Sequence, residues 1–231
     1  MKNNEFLLIE IEKTKKDFLR LLQKLKDNAQ ITYDDYTQED ARCGFFVVSY
    51  NHVLWLMINF DQYLELLKNK KILDKYSNMK EVGYQQYLLS HNNYNRMSFL
   101  TRMMFEVENY MKNILTELNN PINSGFFQLS KNYLIKLNLY SDQRHKILNF
   151  PAQLRNSLHA GGFTEFSIDV EIGVNHFKAN RGERITFANL DTIYLSIDAL
   201  FDLIIDSLKS LKDLKLIQSN YVKLWKSDPF T

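Results

Sequence analysis

The sequence predicts a mostly α-helical protein, a helical bundle with one small antiparallel β-hairpin inserted before the penultimate helix. Three observations carry that expectation. Glycine and proline are scarce, 7 and 3 in 231 residues, so the chain has few places to turn and favours long helices. Apolar residues recur in steps of three and four through several long stretches, which is the period of a helix face. Between residues 163 and 188 the period drops to two, the period of a half-buried strand. The composition, 45% hydrophobic and 24% charged, is that of an ordinary globular chain. The 16 Phe and 13 Tyr suit thick helix–helix cores.

Residues 4–28 read as an amphipathic helix, with Leu7, Leu8, Ile11, Phe18, Leu21, Leu22 and Leu25 on its apolar side. Lys13, Lys15, Lys16, Lys24 and Lys26 fit a solvated outer face or one that touches RNA, the solvated face being the commoner case. Residues 30–37 read as a polar loop, with Thr37 as the next N-cap and Asp40 completing a box-like start. The helix that follows is expected to reach about Lys70 along Phe45, Val48, His52, Trp55, Asn59, Tyr63 and Leu66. Val47, Leu54 and Ile58 make other faces apolar too, so burial on several sides is expected. His52 reads as a hydrogen-bonded core histidine, because no second His or Cys stands at metal-ligand spacing; no metal is expected. Residues 70–93 read as a linker with a short helix at about 82–89 and an exposed loop histidine, His91.

Residues 94–119 form the clearest helical pattern, on Tyr94, Met97, Leu100, Met104, Val107, Tyr110, Ile114 and Leu118. Asn119-Asn120-Pro121 ends it. A helix over about 128–138 comes next, then one capped by Ser141 that carries Arg144 and an exposed His145. Pro151 is expected to kink that helix or restart it. Phe166, Ile168, Val170 and Ile172 then alternate with polar residues, Gly173 suggests a bulge or bend, and Asn180-Arg181-Gly182-Glu183 gives the hairpin turn before a return over 184–188. Asn189 or Asp191 caps the last major helix, with Ile193, Ile197, Leu200, Ile204, Leu208 and Leu211 on its stripe. A final helix with Leu214, Tyr221, Leu224 and Trp225 ends before Pro229. The chain divides into an N-terminal helical region, 1–93, packing on a helical domain, 94–231.

Bulk properties narrow the function. The net charge of +2 announces no nucleic-acid binder, although a local basic patch would serve a small site. A single cysteine, Cys43, makes no internal disulfide and points to a reducing compartment, the cytoplasm. The N-terminus has acidic residues within its apolar stretch and does not read as a signal peptide; no apolar run is expected to span a bilayer, so no membrane partner is expected. The chain has no His-Glu-x-x-His, no cysteine pair, no glycine-rich phosphate loop and no Gly-x-Ser-x-Gly, and no cofactor is expected. Cys43 has no neighbour in sequence that would activate it as a nucleophile.

The most informative stretch is Pro151 to Phe163, PAQLRNSLHAGGF. Leu154 and Leu158 share one helix face; Arg155 and His159, also four apart, share the next, with Asn156 beside them. Gly161 and Gly162 supply a helix stop. Cleaving RNA without metal needs a base for the 2′-OH, a cation for the phosphate and an acid for the leaving 5′-oxygen. A histidine moves protons at neutral pH, and an arginine offers a fork of donors to phosphate oxygens. One of each is too few for two proton transfers, and a two-fold dimer that joins two copies of the helix would complete the set.

The run LRNSLHAGG, with a long helix before it and a glycine-containing hairpin and a helix after it, resembles the HEPN superfamily over roughly residues 94–211. The resemblance implies a HEPN-like helical bundle that dimerises through the motif helix. It implies a metal-independent endoribonuclease with Arg155 and His159 catalytic and Asn156 binding substrate, leaving 2′,3′-cyclic phosphate ends. Three residues separate Arg155 from His159, fewer than the family's motif usually has. The resemblance also suggests that Glu106 or Glu108 pairs with Arg155, that a regulatory partner protein exists, and that the role is a toxin or phage-defence effector. The alternative is a catalytically inactive HEPN-like dimer that binds a protein or nucleotide, with Arg155 held by a glutamate and His159 capping the carbonyls of its own helix end.

Overall fold

The first helix, α1 (Lys2–Asp35), has neither glycine nor proline to interrupt it. The computed structural model describes residues 2–35, 40–69, 71, 81–121 and 123–212, and these are 75% helical. Gln30 to Asp35, expected as a loop, continue α1. Thr32 is buried there, and its hydroxyl donates to the Asn28 carbonyl at 2.8 Å, so a residue that looks like a loop former is satisfied inside the helix. The lysines of α1 largely face carboxylates: Lys13 pairs with Asp191, Lys15 with Asp61, and Lys24 with Asp198 and Asp202.

Helix α2 (Ala41–Lys68) starts at Asp40, whose carboxylate accepts from the Arg42 backbone N–H. Thr37, the expected cap, lies outside the described residues. Helix α2 lies between α1 and α3 (Glu81–Glu117), which cover two of its flanks. Trp55 and Ile58, expected inside, are exposed. By length and composition, Ala41–Leu66 would suffice to cross a bilayer, contrary to the expectation that no run comes near that length; 56% of the window is buried in the fold, as in any core helix. His52 is half-buried, with its Nε2 3.7 Å from a Glu106 carboxylate oxygen.

Helix α3 is continuous through residues 81–93, where the sequence suggested a linker and a short separate helix. Asn92 and, just beyond this stretch, Asn95 are buried polar residues on a helix face, which hides the helical period. His91 is no loop residue: its ring stacks on Tyr63, with centroids 5.6 Å apart, and lies 3.2 Å from the Asn95 amide nitrogen. Burial pushes the His91 pKa below its usual value. The unfolded chain therefore binds more protons between that lowered pKa and about 6.5, so stability falls as pH drops through this window. Thermal melts at pH 5 and pH 7.5 should show this loss in wild type and a smaller one in His91→Gln.

Helix α4 (Phe126–Lys136) leads to α5 (Asp142–His159), where Ser141 accepts from the Arg144 N–H at 3.2 Å as its cap. His145 is buried, not exposed: it packs edge-on against Phe127 at 4.4 Å, and its Nε2 is 3.0 Å from the Phe127 carbonyl oxygen. Pro151 neither starts nor ends a helix. Helix α5 runs through it, because Leu148, Phe150 and Leu154 are fully buried around it and this packing offsets the lost backbone bond.

Strands β1 (Ile168–Ile172) and β2 (Asn175–Ala179) pair antiparallel, Ile172 opposite Asn175. The reversal is at Gly173-Val174, with Gly173 at φ 59°, and not at Asn180–Glu183 as expected. A glycine with positive φ at the first loop position is what a two-residue hairpin needs. The Asn180–Glu183 turn, held by the Glu183 carboxylate on Asn180, makes a second reversal. It returns the chain to the end of α5, where Arg184 bridges to Phe163. The inner side of the hairpin (Ile168, Val170, Ile172 and Phe177) is buried, with Phe177 5.0 Å from Phe150 of α5.

Helix α6 (Leu190–Leu208) is capped by Asn189, which accepts from the Thr192 N–H at 2.8 Å, and a 3-10 turn (Lys209–Leu211) follows it. The described residues thus hold six α-helices and one two-stranded sheet. Their buried side chains, from Phe18 to Leu211, form one cluster. Phe18 of α1 sits at its centre, edge-on to Phe60 of α2, Phe99 of α3 and Tyr194 of α6 at 5.6–5.8 Å. The helix expected over Leu214 to Trp225 lies outside the described residues.

Candidate functional site

The last two turns of α5 bury Leu154 and Ser157 and turn the intervening residues outward. Arg155 and Asn156 are half-buried at the surface, and His159 is exposed at the helix end. One helical turn apart, Arg155 and His159 project from the same flank. The helix closes as the Gly-Gly pair suggested: Gly161 and Gly162 have φ of 69° and 95°, and the Gly162 N–H donates to the Ser157 carbonyl at 2.7 Å. The Ala160 N–H donates to the Asn156 carbonyl at 2.9 Å, so backbone donors cap this helix end.

The Arg155 guanidinium donates from Nε and Nη2 to the Asn156 amide oxygen, at 3.1 and 2.9 Å. No carboxylate pairs with it among the described residues. The suggested Glu106 or Glu108 partner is not there: Glu106 faces His52 of α2, and Glu108 bonds Lys112 at 2.6 Å. The His159 ring has no hydrogen bond or ion pair among the described residues. The structure therefore brings Arg155 and Asn156 together, with His159 one turn further along the same helix.

Other reactive groups stand apart. Cys43 is buried, and burial pushes its thiol up to about 11, which removes the thiolate needed for a nucleophile. His176 bonds Asp169 at 2.7 Å on the hairpin. Among the described residues no three His, Cys, Asp or Glu side chains group as metal ligands.

The sequence did not reveal a cleft that borders the motif. It has a volume of about 580 Å³ and lies between Tyr94 and Arg96 of α3, the end of α5 (Leu158, Gly161 and Gly162) and Arg184. Arg184 reaches it because the Thr164 N–H donates to the Glu183 carbonyl and the Gly182 N–H to the Thr164 carbonyl, bonds that fold residues 180–185 back onto the chain after α5. Tyr94, expected in the core, is 65% exposed at the cleft's rim. Compared with known proteins, this chain matches no family model, no curated protein and no solved structure.

Proposed function

We propose that this protein is a metal-independent endoribonuclease of HEPN type, acting as a homodimer through the α5 motif. One observation carries this reading: Arg155 and His159 stand one turn apart on the outward flank of a helix end, and neither has a carboxylate partner among the described residues. His159 takes the proton from a ribose 2′-OH. The freed oxygen attacks phosphorus, forming the O2′–P bond, and the P–O5′ bond breaks. The His159 of a second copy, brought up by a two-fold axis, protonates the departing O5′. Arg155 holds the non-bridging oxygens as charge builds on them. Of its five N–H donors, two rest on Asn156, which fixes the guanidinium while the others serve the phosphate. The products are a 2′,3′-cyclic phosphate and a 5′-OH. DNA, lacking the nucleophile, is not cut.

The reading also supplies a role. The resemblance to the HEPN superfamily implies a cytoplasmic toxin or phage-defence effector held in check by a regulatory protein. The test is incubation of purified protein with total RNA in EDTA. Wild type should cleave and leave cyclic phosphate ends, single-stranded DNA should survive, and Arg155→Ala should lose cleavage by about 10²–10³-fold. Intact RNA with wild type, or activity that EDTA abolishes, would overturn the proposal.

A further inference from the structure

We propose that the cleft beside the motif binds single-stranded RNA, with Tyr94 stacking on a base and Arg96 and Arg184 holding the phosphates that flank the cut. Its role rests on the ribonuclease reading for where the strand is cut, although binding itself needs no cleavage.

The chemistry of the lining argues for this ligand. Among the described residues the cleft is lined by two arginines and no carboxylate. Arg184 is exposed and has no hydrogen-bond or ion-pair partner among the described residues. Arg96 is fixed in place by donating to the Ala188 carbonyl at 3.1 Å. Tyr94 adds a 65% exposed aromatic ring beside these cations. One fixed and one exposed guanidinium beside an open aromatic face suit a strand that alternates phosphates and bases.

The position ties the cleft to the motif. A Cβ on Gly162 would lie 3.6 Å from Cγ and Nε of Arg184, so this side chain lies against the helix end, three residues beyond His159. The lining includes Leu158, Gly161 and Gly162 and not Arg155, Asn156 or His159, so a strand held there has to pass around the helix end to reach the motif flank. The cleft's 580 Å³ falls within the roughly 300–1,000 Å³ common for ligand sites.

The test uses a labelled 2′-O-methyl oligouridylate, which lacks the nucleophile and cannot be cut, with binding read by fluorescence anisotropy across a salt series. Wild type should bind. Tyr94→Ala should weaken binding about tenfold, by the usual worth of one stacked base. Arg184→Ala should weaken it severalfold and reduce the salt slope by about 0.7, one phosphate contact on a single strand. Both cleft side chains are exposed, so the variants should keep the wild-type circular dichroism spectrum. If wild type fails to bind, or if the folded cleft variants bind like wild type, the cleft is no RNA site. Displacement of the oligomer by an equal concentration of AMP would make the occupant a free nucleotide and overturn the proposal of a strand. Wild-type binding that depends on Tyr94 and Arg184, without cleavage of unmodified RNA, would uphold the cleft and sink the nuclease. Cleavage that is indifferent to both residues would do the reverse.

Discussion

Replacing His159 by alanine is expected to lower RNA cleavage by about 10²–10⁴-fold while leaving the melting temperature nearly unchanged. The first half follows from the chemistry: a positioned proton-transfer group is worth about that factor, and in a two-fold site the same substitution removes base and acid together. The second half follows from exposure. The ring touches solvent and has no partner among the described residues, and such surface changes usually cost no more than about 0.5 kcal/mol. A mixing experiment then tests the dimer. Excess His159→Ala protein added to wild type should suppress cleavage, because mixed dimers carry one imidazole where two are needed. Unchanged activity in the mixture would mean that each copy works alone, and the composite site would fail.

The cleft and the motif were not equally legible in the sequence, and the difference is one of range. Arg155 and His159 lie a turn apart, so a local rule places them on one flank, and the Gly161-Gly162 stop and the Ser141 and Asn189 caps are local in the same way. Arg184 is placed by two successive reversals, at Gly173 and at Gly182, and by bonds between Thr164 and Glu183 that no window of residues displays. The long helices were legible because so little punctuates them. They were misread where a polar residue turned inward. Thr32 on α1, Asn92 and Asn95 on α3 and His145 on α5 are all buried, and each looks like a surface or loop residue until its partner is known. Pro151 reads as a boundary by its own chemistry, yet the packing of Phe150 and Leu154 holds the helix through it. The Glu–Arg155 pair failed for the converse reason: helix α3 turns Glu106 toward His52 and away from the motif.

Arg42 is the furthest case of such concealment, and its loss is expected to be the most damaging to stability. Its side chain is fully buried, an unusual place for an arginine. It donates from Nε and Nη2 to the two oxygens of Asp40, at 2.7 and 2.6 Å, and from Nη1 to the Leu211 carbonyl at 2.5 Å. One guanidinium thus braces the start of α2 and satisfies a carbonyl of the 3-10 turn that follows α6. Arg42→Ala would strand the buried Asp40 carboxylate, and removing one partner of such a pair typically costs about 3–5 kcal/mol, much of a stability of about 5–15 kcal/mol. Urea titration should show a large fall in midpoint. Arg42→Met, which refills the volume, should fall nearly as far, because the stranded charge and not the cavity dominates. Adding Asp40→Asn to Arg42→Met removes that charge and keeps a side chain able to cap α2, so the double variant should be more stable than Arg42→Met alone. If the second substitution lowers the midpoint further, the two side chains act independently and the pair does not brace the fold.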